Sequence, residues 1–229
     1  MSSGDRLPPQ YLDARAMARA LRHLPVFPLP DVVMFPHALL PLHIFEPRYR
    51  KLTRDALASN RLMGLALLID DEVAGDSPPR FAPILGVGEI VMAQELPDGR
   101  FNLVLRGRTR VRFQRELETP EPYRLIIATE LPDETPRGSE DLGDAEATLR
   151  SLIFGLADAL PEGGELLKQV VSAQTSAAEL VNVVAAALVA DTGSRQRLLE
   201  TTDILARIEA VSNEVAAVTA RVAPDRRTN

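Results

Sequence analysis

The fold is decided by a hairpin signal at residues 94–113, which read QELPDGRFNLVLRGRTRVRF. Pro97 fixes its own φ and Gly99 tolerates a positive φ, so the chain can reverse direction between two apolar runs. Alternation after the turn places small and apolar residues on one face and four arginines on the other: Leu105, Gly107, Thr109, Val111 and Phe113 against Arg106, Arg108, Arg110 and Arg112. The stretch predicts a β-hairpin whose second strand has one face toward a core and one toward solvent.

Short apolar runs broken by proline, glycine and aspartate extend this pattern from Leu24 to about Leu131. We predict six strands: Leu24–Leu29, Ala38–Phe45, Leu62–Ile69, Ile84–Gln94, Phe101–Glu116 and Tyr123–Glu130. One helix interrupts them, beginning at Pro47, because proline is favoured at the first helical position, and running toward Asn60. Gly86-Val87-Gly88 lacks the third glycine of a dinucleotide loop, so it indicates a flexible or bulged strand.

The spacing of apolar residues becomes helical after residues 132–143, which are rich in proline, glycine and acids and predict a linker. Helical spacing recurs over residues 149–160, 165–171, 180–188 and about 202–222, and Ser176 to Glu179 form a capping box. Residues 191–194 predict a turn. The chain thus divides into an N-terminal extension (1–23), a β-rich unit (24–131), the linker (132–143), a helical unit (144–222) and a flexible tail (223–229).

Composition excludes several classes of protein. The absence of cysteine removes disulfides, thiol nucleophiles and thiolate-held metal clusters, and it fits a reducing compartment. No apolar run reaches the roughly 20 residues of a membrane span, and the N-terminus has no secretory signal, so we expect a cytoplasmic protein without membrane attachment. A net charge of −6 opposes non-specific binding to nucleic acid.

The sequence offers no catalytic motif, and we expect neither enzymatic activity nor a cofactor. The two lysines, Lys51 and Lys168, follow no phosphate-binding loop, and no glycine-flanked serine lies near Lys168 to form a Ser–Lys pair. His37, His43 and Glu46 have ligand-capable side chains, but Pro41 lies between the two histidines, so a shared site would need a distortion of the predicted strand. Asp70-Asp71-Glu72 is interpreted as an acidic loop, so no metal site is predicted.

Two proline-rich motifs and the hairpin resemble the N-terminal domain of Lon proteases. The matching stretches are PVFPLPDVVMFP at 25–36, LPLHIFEPRY at 40–49, LPDGRFNL at 96–103 and RGRTR at 106–110. With the helical half in the expected order, the resemblance covers residues 24–222. It implies an α+β fold, in which a PUA-like six-stranded pseudo-barrel with one helix is followed by a helical bundle.

The resemblance also implies a function. In Lon proteases this domain precedes an ATPase module and a Ser–Lys peptidase, and the chain ends before either, so we expect a non-catalytic, stand-alone substrate-binding domain. Such a domain would bind exposed, unfolded or tagged protein segments, as an accessory to ATP-dependent proteolysis. A full-length Lon protease and a second copy of the chain are further candidate partners.

We assign the binding surface to Val33, Met34 and Phe35, joined by Phe45, Arg48 and Tyr49 from the second motif. The apolar segment lies between prolines, and Pro36 lacks a ladder donor, so it is a candidate sheet edge to which a peptide adds as a strand. The alternative interpretation is that these side chains fill the barrel.

Two other functions stay open. In the first, Arg106, Arg108, Arg110 and Arg112 bind the phosphates of RNA, although the same alternation is typical of a solvent face paired with acids such as Glu89. In the second, a cleft between the β-rich and helical units holds a small-molecule enzyme site, for which the sequence contains no motif.

Overall fold

The computed structural model describes residues 13–69, 80–134 and 139–222. The strands are β1 (Leu24–Leu29), β2 (Leu39–Ile44), β3 (Leu62–Leu67), β4 (Ile84–Glu95), β5 (Phe101–Leu117) and β6 (Arg124–Glu130). The helices are α1 (Ala14–Ala20), α2 (Pro47–Ala58), α3 (Ser139–Ala159), α4 (Gly164–Ser172), α5 (Ala177–Leu188), α6 (Thr192–Glu200) and α7 (Ile204–Val222). The acidic loop at 70–72 and the tail at 223–229 lie outside the described residues.

The six strands form one mixed sheet in the order β2-β5-β4-β3-β1-β6. β1 pairs with β3 in parallel, and the other neighbours are antiparallel. The sheet curls until β6 also pairs with the second half of β5, while β2 pairs with the first half and lies outside the resulting ring. The predicted α+β class with a six-stranded pseudo-barrel is confirmed, as a curled sheet rather than a regular closed barrel.

The predicted hairpin and the predicted helix contact each other. The Leu96 amide donates to the Arg100 carbonyl over 2.8 Å, and Gly99 takes a φ of +78° in the turn. α2 has Pro47 at its start, as expected, and its Arg54 donates to the Glu95 carboxylate at the end of β4 over 2.8 Å. Helix α2 therefore holds the hairpin through Arg54.

One hydrophobic core joins the barrel to the helical bundle. Val33, Phe35 and Ile84 of the β-rich half belong to the same buried cluster as apolar side chains of α3, α5, α6 and α7. A second cluster lies beneath α2, and a third lies on the opposite side of the sheet, beneath α1. The two halves therefore share a core and do not pack as independent units.

Three helices begin where the sequence predicts other structure. α1 lies in the N-terminal extension, where Asp13 accepts from the Ala16 amide over 2.7 Å and Met17 packs on the barrel. α6 starts within the predicted turn at 191–194, because Asp191 is its N-cap and accepts from the Ser194 amide over 2.6 Å. α3 also begins earlier than expected, inside the predicted linker.

Candidate functional site

The structure buries the apolar segment that we assigned to binding. Met34 and Phe35 are almost completely inaccessible and Val33 nearly so, and the segment is not a strand. It crosses the sheet directly above Gly86 and Gly107, where an added Cβ would lie 2.8 Å from the carbonyl carbon of Met34 and Phe35 respectively. The edge-strand interpretation of this segment is therefore wrong, because the two glycines let its backbone lie flat on the sheet and turn its side chains into the core.

The second motif is divided between core and surface. Tyr49 is buried against Phe27, with ring centroids 4.2 Å apart. Arg48 reaches solvent, stacks over the Tyr49 ring and pairs with the Glu46 carboxylate at 2.9 Å. Phe45 is exposed at the end of β2. Of the six residues assigned to the binding surface, only Phe45 and Arg48 are available to a partner.

A β-bulge breaks the predicted row of four arginines. Val87 of β4 is opposite Thr109, but the next residue, Gly88, is opposite Gly107, so Arg108 is the extra residue of the bulge and the alternation shifts. As a result the side chain of Arg110 turns inward and is only 2% exposed. The expectation that all four arginines share a solvent face is therefore wrong for Arg110. The row of arginines that could contact the phosphates of RNA is interrupted at this position.

Arg110 belongs to a buried polar network that connects β5 to the bundle. Its guanidinium bonds to the Asp133 carboxylate, which also binds Arg207 of α7 at 2.8 and 2.9 Å. Arg110 also donates to the Asn182 side chain over 3.1 Å, and both arginines donate to the Thr201 carbonyl. Burial, with a contribution from neighbouring Arg207, lowers the pKa of Arg110 to about 10, so the group stays charged at neutral pH.

An open apolar surface lies instead on the outward face of β2, β5 and β4. We call it the outer sheet face, and its side chains are Leu39, Pro41, His43, Met92, Gln94, Asn102, Val104 and Arg106. Pro41, Val104 and Met92 form one cross-strand row, and a shallow cavity of about 420 Å³ opens around them. Leu39 and Met92 are 61% and 63% exposed. Large apolar side chains with this exposure are a feature of binding surfaces when they cluster.

The outer sheet face ends at a free strand edge. Within the described residues β2 pairs with β5 alone, so its other edge has no partner strand. Pro41 is opposite Val104, and because proline cannot donate to a ladder, the missing N–H belongs to the open edge. Exposed Phe45 directly follows the strand, and its ring centroid lies 6.3 Å from that of His43.

A cleft of about 520 Å³ adjoins this face, and residues of both the barrel and the bundle line it. We call it the cationic cleft, and it is lined by His37, Leu39, Arg106, Gly107, Arg108, Gln174 and Glu179. His37 has a φ of +68°, unusual for a residue with a side chain, and its amide donates to the Gly107 carbonyl over 2.9 Å. Burial lowers the pKa of His37, so the ring is neutral at pH 7 even though Glu179 lies 3.8 Å away.

Glu179 at the wall of the cleft predicts a pH-dependent contribution to stability. Its carboxylate accepts from the Thr175 amide and hydroxyl, each over 2.8 Å, and these bonds hold its pKa below the ordinary value. A lowered folded-state pKa stabilises the fold above the unfolded pKa of about 4.3, and this stabilisation is lost as the pH falls. We expect Glu179→Gln to lower the free energy of unfolding by about 1 kcal/mol at pH 7.

Urea denaturation at pH 7 and pH 3.5 checks this expectation. The difference between Glu179→Gln and the wild type should shrink at the lower pH, where the wild-type carboxyl also begins to protonate. An equal difference at both pH values would contradict the assignment of the effect to the Glu179 carboxylate. Glu165→Gln is the control, since this glutamate is exposed on α4 and, among the described residues, pairs with Lys168 alone.

The histidines and lysines that could serve in catalysis or metal binding lie apart from one another, each in its own ion pairs or hydrogen bonds. His43 bonds through Nδ1 to the Asn102 side chain at 2.8 Å, whereas His37 faces Glu179. Lys51 pairs with Asp55 and Glu121, and Lys168 with Asp158 and Glu165, and these pairs raise the pKa of both lysines. A lysine base requires the opposite shift. In the described ranges no three His, Asp or Glu side chains are grouped as metal ligands.

The sequence matches the family described as the ATP-dependent protease La (LON) substrate-binding domain over residues 23–217. The chain belongs to this family. It is 28% identical over 190 residues to the Lon protease of Dictyoglomus thermophilum and 25% identical over 197 residues to Lon protease 2 of Bdellovibrio bacteriovorus, which cover 82% and 85% of the chain. Each match spans 24% of the relative, so the chain corresponds to about a quarter of these proteases.

Solved structures agree with the fold. The N-terminal domain of the Mycobacterium avium complex Lon protease superposes with a TM-score of 0.68 at 19% identity, covering 85% of this chain and 98% of that one. A Lon N-terminal domain protein from Xanthomonas campestris gives a TM-score of 0.57 at 26% identity, covering 82% and 95%. The matched substrate-binding domain is non-catalytic. None of the described helices combines the length and hydropathy that crossing a bilayer requires.

Proposed function

We propose that this domain binds extended, partly apolar segments of other proteins on the outer sheet face. The exposure of Leu39 and Met92 on a sheet with a free edge carries this proposal. An extended segment can add backbone bonds along β2 and insert alternate side chains between these anchors. Full burial of a Leu or Met side chain contributes about 2 kcal/mol, so two half-exposed anchors supply roughly that amount together.

The double variant Leu39→Asp, Met92→Asp tests the assignment. Both substitutions place a carboxylate where apolar contact is proposed, and they change side chains that the fold leaves exposed. We expect the Kd for a labelled, permanently unfolded casein, measured by fluorescence anisotropy, to rise at least about tenfold. The folded state should be retained, which circular dichroism checks.

Leu166→Asp is the matched control. Leu166 is 64% exposed but lies on α4 in the helical half, away from the sheet. Its substitution should leave the affinity for casein unchanged. Equal weakening by the control and the double variant, or no weakening by either, would remove the outer sheet face as the binding surface.

The wider role follows from the family. Relatives are Lon proteases, and we propose that a segment held on the outer sheet face is presented to such a protease, as an accessory step of ATP-dependent proteolysis. Direct contact with a full-length Lon protease, self-association and a cytoplasmic location belong to the same proposal. The burial of Arg110 favours a polypeptide partner over RNA, since the arginine row is interrupted.

A further inference from the structure

The cationic cleft and the outer sheet face are continuous. Leu39 and Arg106 line both of them and are opposite each other in the register of β2 and β5. We propose that the cationic cleft binds a carboxylate of the segment that lies on the outer sheet face, with Arg106 as its main partner. This inference rests on the proposed function and adds a chemical preference to it.

Arg106 is the feature that points to a ligand. Its side chain is exposed and forms neither an ion pair nor a hydrogen bond with any residue in the described part of the chain. Other arginines nearby are engaged: Arg108 faces the Glu89 carboxylate at 3.5 Å, and Arg110 binds Asp133. A guanidinium at the mouth of a cleft offers a planar pair of N–H donors, the geometry that a carboxylate accepts with two parallel hydrogen bonds.

The other walls favour a carboxylate over a phosphate. Glu179 is the acid among the residues that line the cleft, and bonds from Thr175 hold its carboxylate in the charged form. His37 is kept neutral by burial and supplies a polar ring without a second charge. The cleft therefore has a modest positive excess, which suits a monoanion better than a phosphate with nearly two charges.

The register of β2 and β5 sets the distance between the carboxylate and the apolar side chains in the preferred segment. Leu39 is opposite Arg106, and Pro41, two residues later in β2, is opposite Val104, two residues earlier in β5. An extended chain advances about 3.3 Å per residue. A carboxylate at Arg106 therefore places an apolar side chain of the same segment, one or two residues away, over Leu39 or the Pro41–Val104–Met92 row.

Three labelled peptides of alternating leucine and serine test the inference by anisotropy. One ends in glutamine with an amidated terminus, one in glutamate with an amidated terminus, and one in glutamine with a free carboxylate. With wild-type protein we expect both acidic peptides to bind about tenfold more tightly than the neutral peptide. Arg106→Gln should abolish that advantage, so that the two acidic peptides bind no more tightly than the neutral peptide.

Arg112→Gln is the matched control, because Arg112 is an exposed arginine of the same strand outside the cleft. It should preserve the advantage of the acidic peptides. The acidic peptide that binds more tightly identifies the source of the carboxylate, a side chain or the C-terminus. Identical affinities of the three peptides for the wild type, or an equal loss from Arg106→Gln and Arg112→Gln, would overturn the inference.

If the proposed function itself is wrong, the peptide titrations give a different result. In that case none of the three peptides binds the wild type, whereas failure of the cleft inference alone leaves the neutral peptide bound and the charge without effect. A labelled single-stranded oligoribonucleotide is titrated in parallel. Tighter binding of this oligonucleotide than of the acidic peptides, lost in Arg106→Gln, would assign the arginine to nucleic acid and overturn the inference.

Discussion

Asp133→Ala is expected to lower the free energy of unfolding by about 3 kcal/mol, because it leaves two buried guanidinium groups without their shared carboxylate. Arg110 and Arg207 are 2% and 0% exposed, so water cannot replace the lost partner without opening the junction between barrel and bundle. A domain of this size has a stability of about 5–15 kcal/mol, and the expected loss is a large fraction of it. Thermal denaturation should show a Tm lower by about 6–12 °C.

Asp144→Ala separates this effect from a general loss of negative charge. Asp144 is exposed on α3, and its substitution should change stability by less than about 0.5 kcal/mol. A Tm of Asp133→Ala within 2–3 °C of the wild type, less than about 1 kcal/mol, would contradict the network as the connection between the halves.

Gly107→Ala is expected to destabilise the domain by about 3 kcal/mol, since the added Cβ meets backbone rather than a flexible side chain. It would lie 2.8 Å from the carbonyl carbon of Phe35 and 3.0 Å from the Cα of Pro36. The crossing segment is also held to β5 by backbone bonds of 2.9 Å, from His37 to Gly107 and from Gly107 to Ala38. Relief of the overlap would break these bonds, and urea denaturation measures the resulting loss.

Gly155→Ala supplies a control with the opposite sign. An added Cβ at Gly155 meets nothing within 4 Å, and the residue lies inside helix α3. Alanine should therefore raise the stability by about 0.5–1 kcal/mol through its better helix propensity. Equal stabilities of Gly107→Ala and the wild type would show that the crossing segment can move off the sheet at little cost.

Local signals gave correct predictions wherever chemistry within a few residues decides the conformation. The Pro97–Gly99 turn, the start of α2 at Pro47 and the Ser176 cap of α5 each follow from a residue whose own backbone or side chain imposes the structure. The strands were placed within two residues for the same reason, since alternation and turn residues mark both ends. The bulge suggested by Gly86-Val87-Gly88 is present between Val87 and Gly88.

Predictions failed where a distant partner decides the environment of a residue. Whether Arg110 faces water depends on which strand of the pair carries the extra residue, and the alternation of β5 contains no sign that it is Arg108. The burial of Met34 and Phe35 depends on two glycines more than 50 residues away. The sequence predicts a turn at Asp191 because the role of this residue as an N-cap depends on the nine helical residues that follow.

The sequence contains a signal for the outer sheet face that the assignment of the binding surface from the proline-rich motifs does not use. A half-exposed strand carries polar residues at every second position, but residues 39–42 read LLPL, with apolar residues on both faces. Met92 likewise occupies an outward position on β4. Apolar residues at positions that alternation assigns to solvent therefore indicate the surface, whereas the apolar residues of the first proline-rich motif belong to the core.

The shared core also governs the order in which a growing chain can finish folding on the ribosome. All six strands have been synthesised once residue 130 is added, yet Phe35 and Ile84 still lack their helical partners, which extend to Val215 in α7. Until that last helix appears, the nascent barrel presents an open apolar side. The domain is therefore itself an incompletely folded polypeptide for most of its own translation.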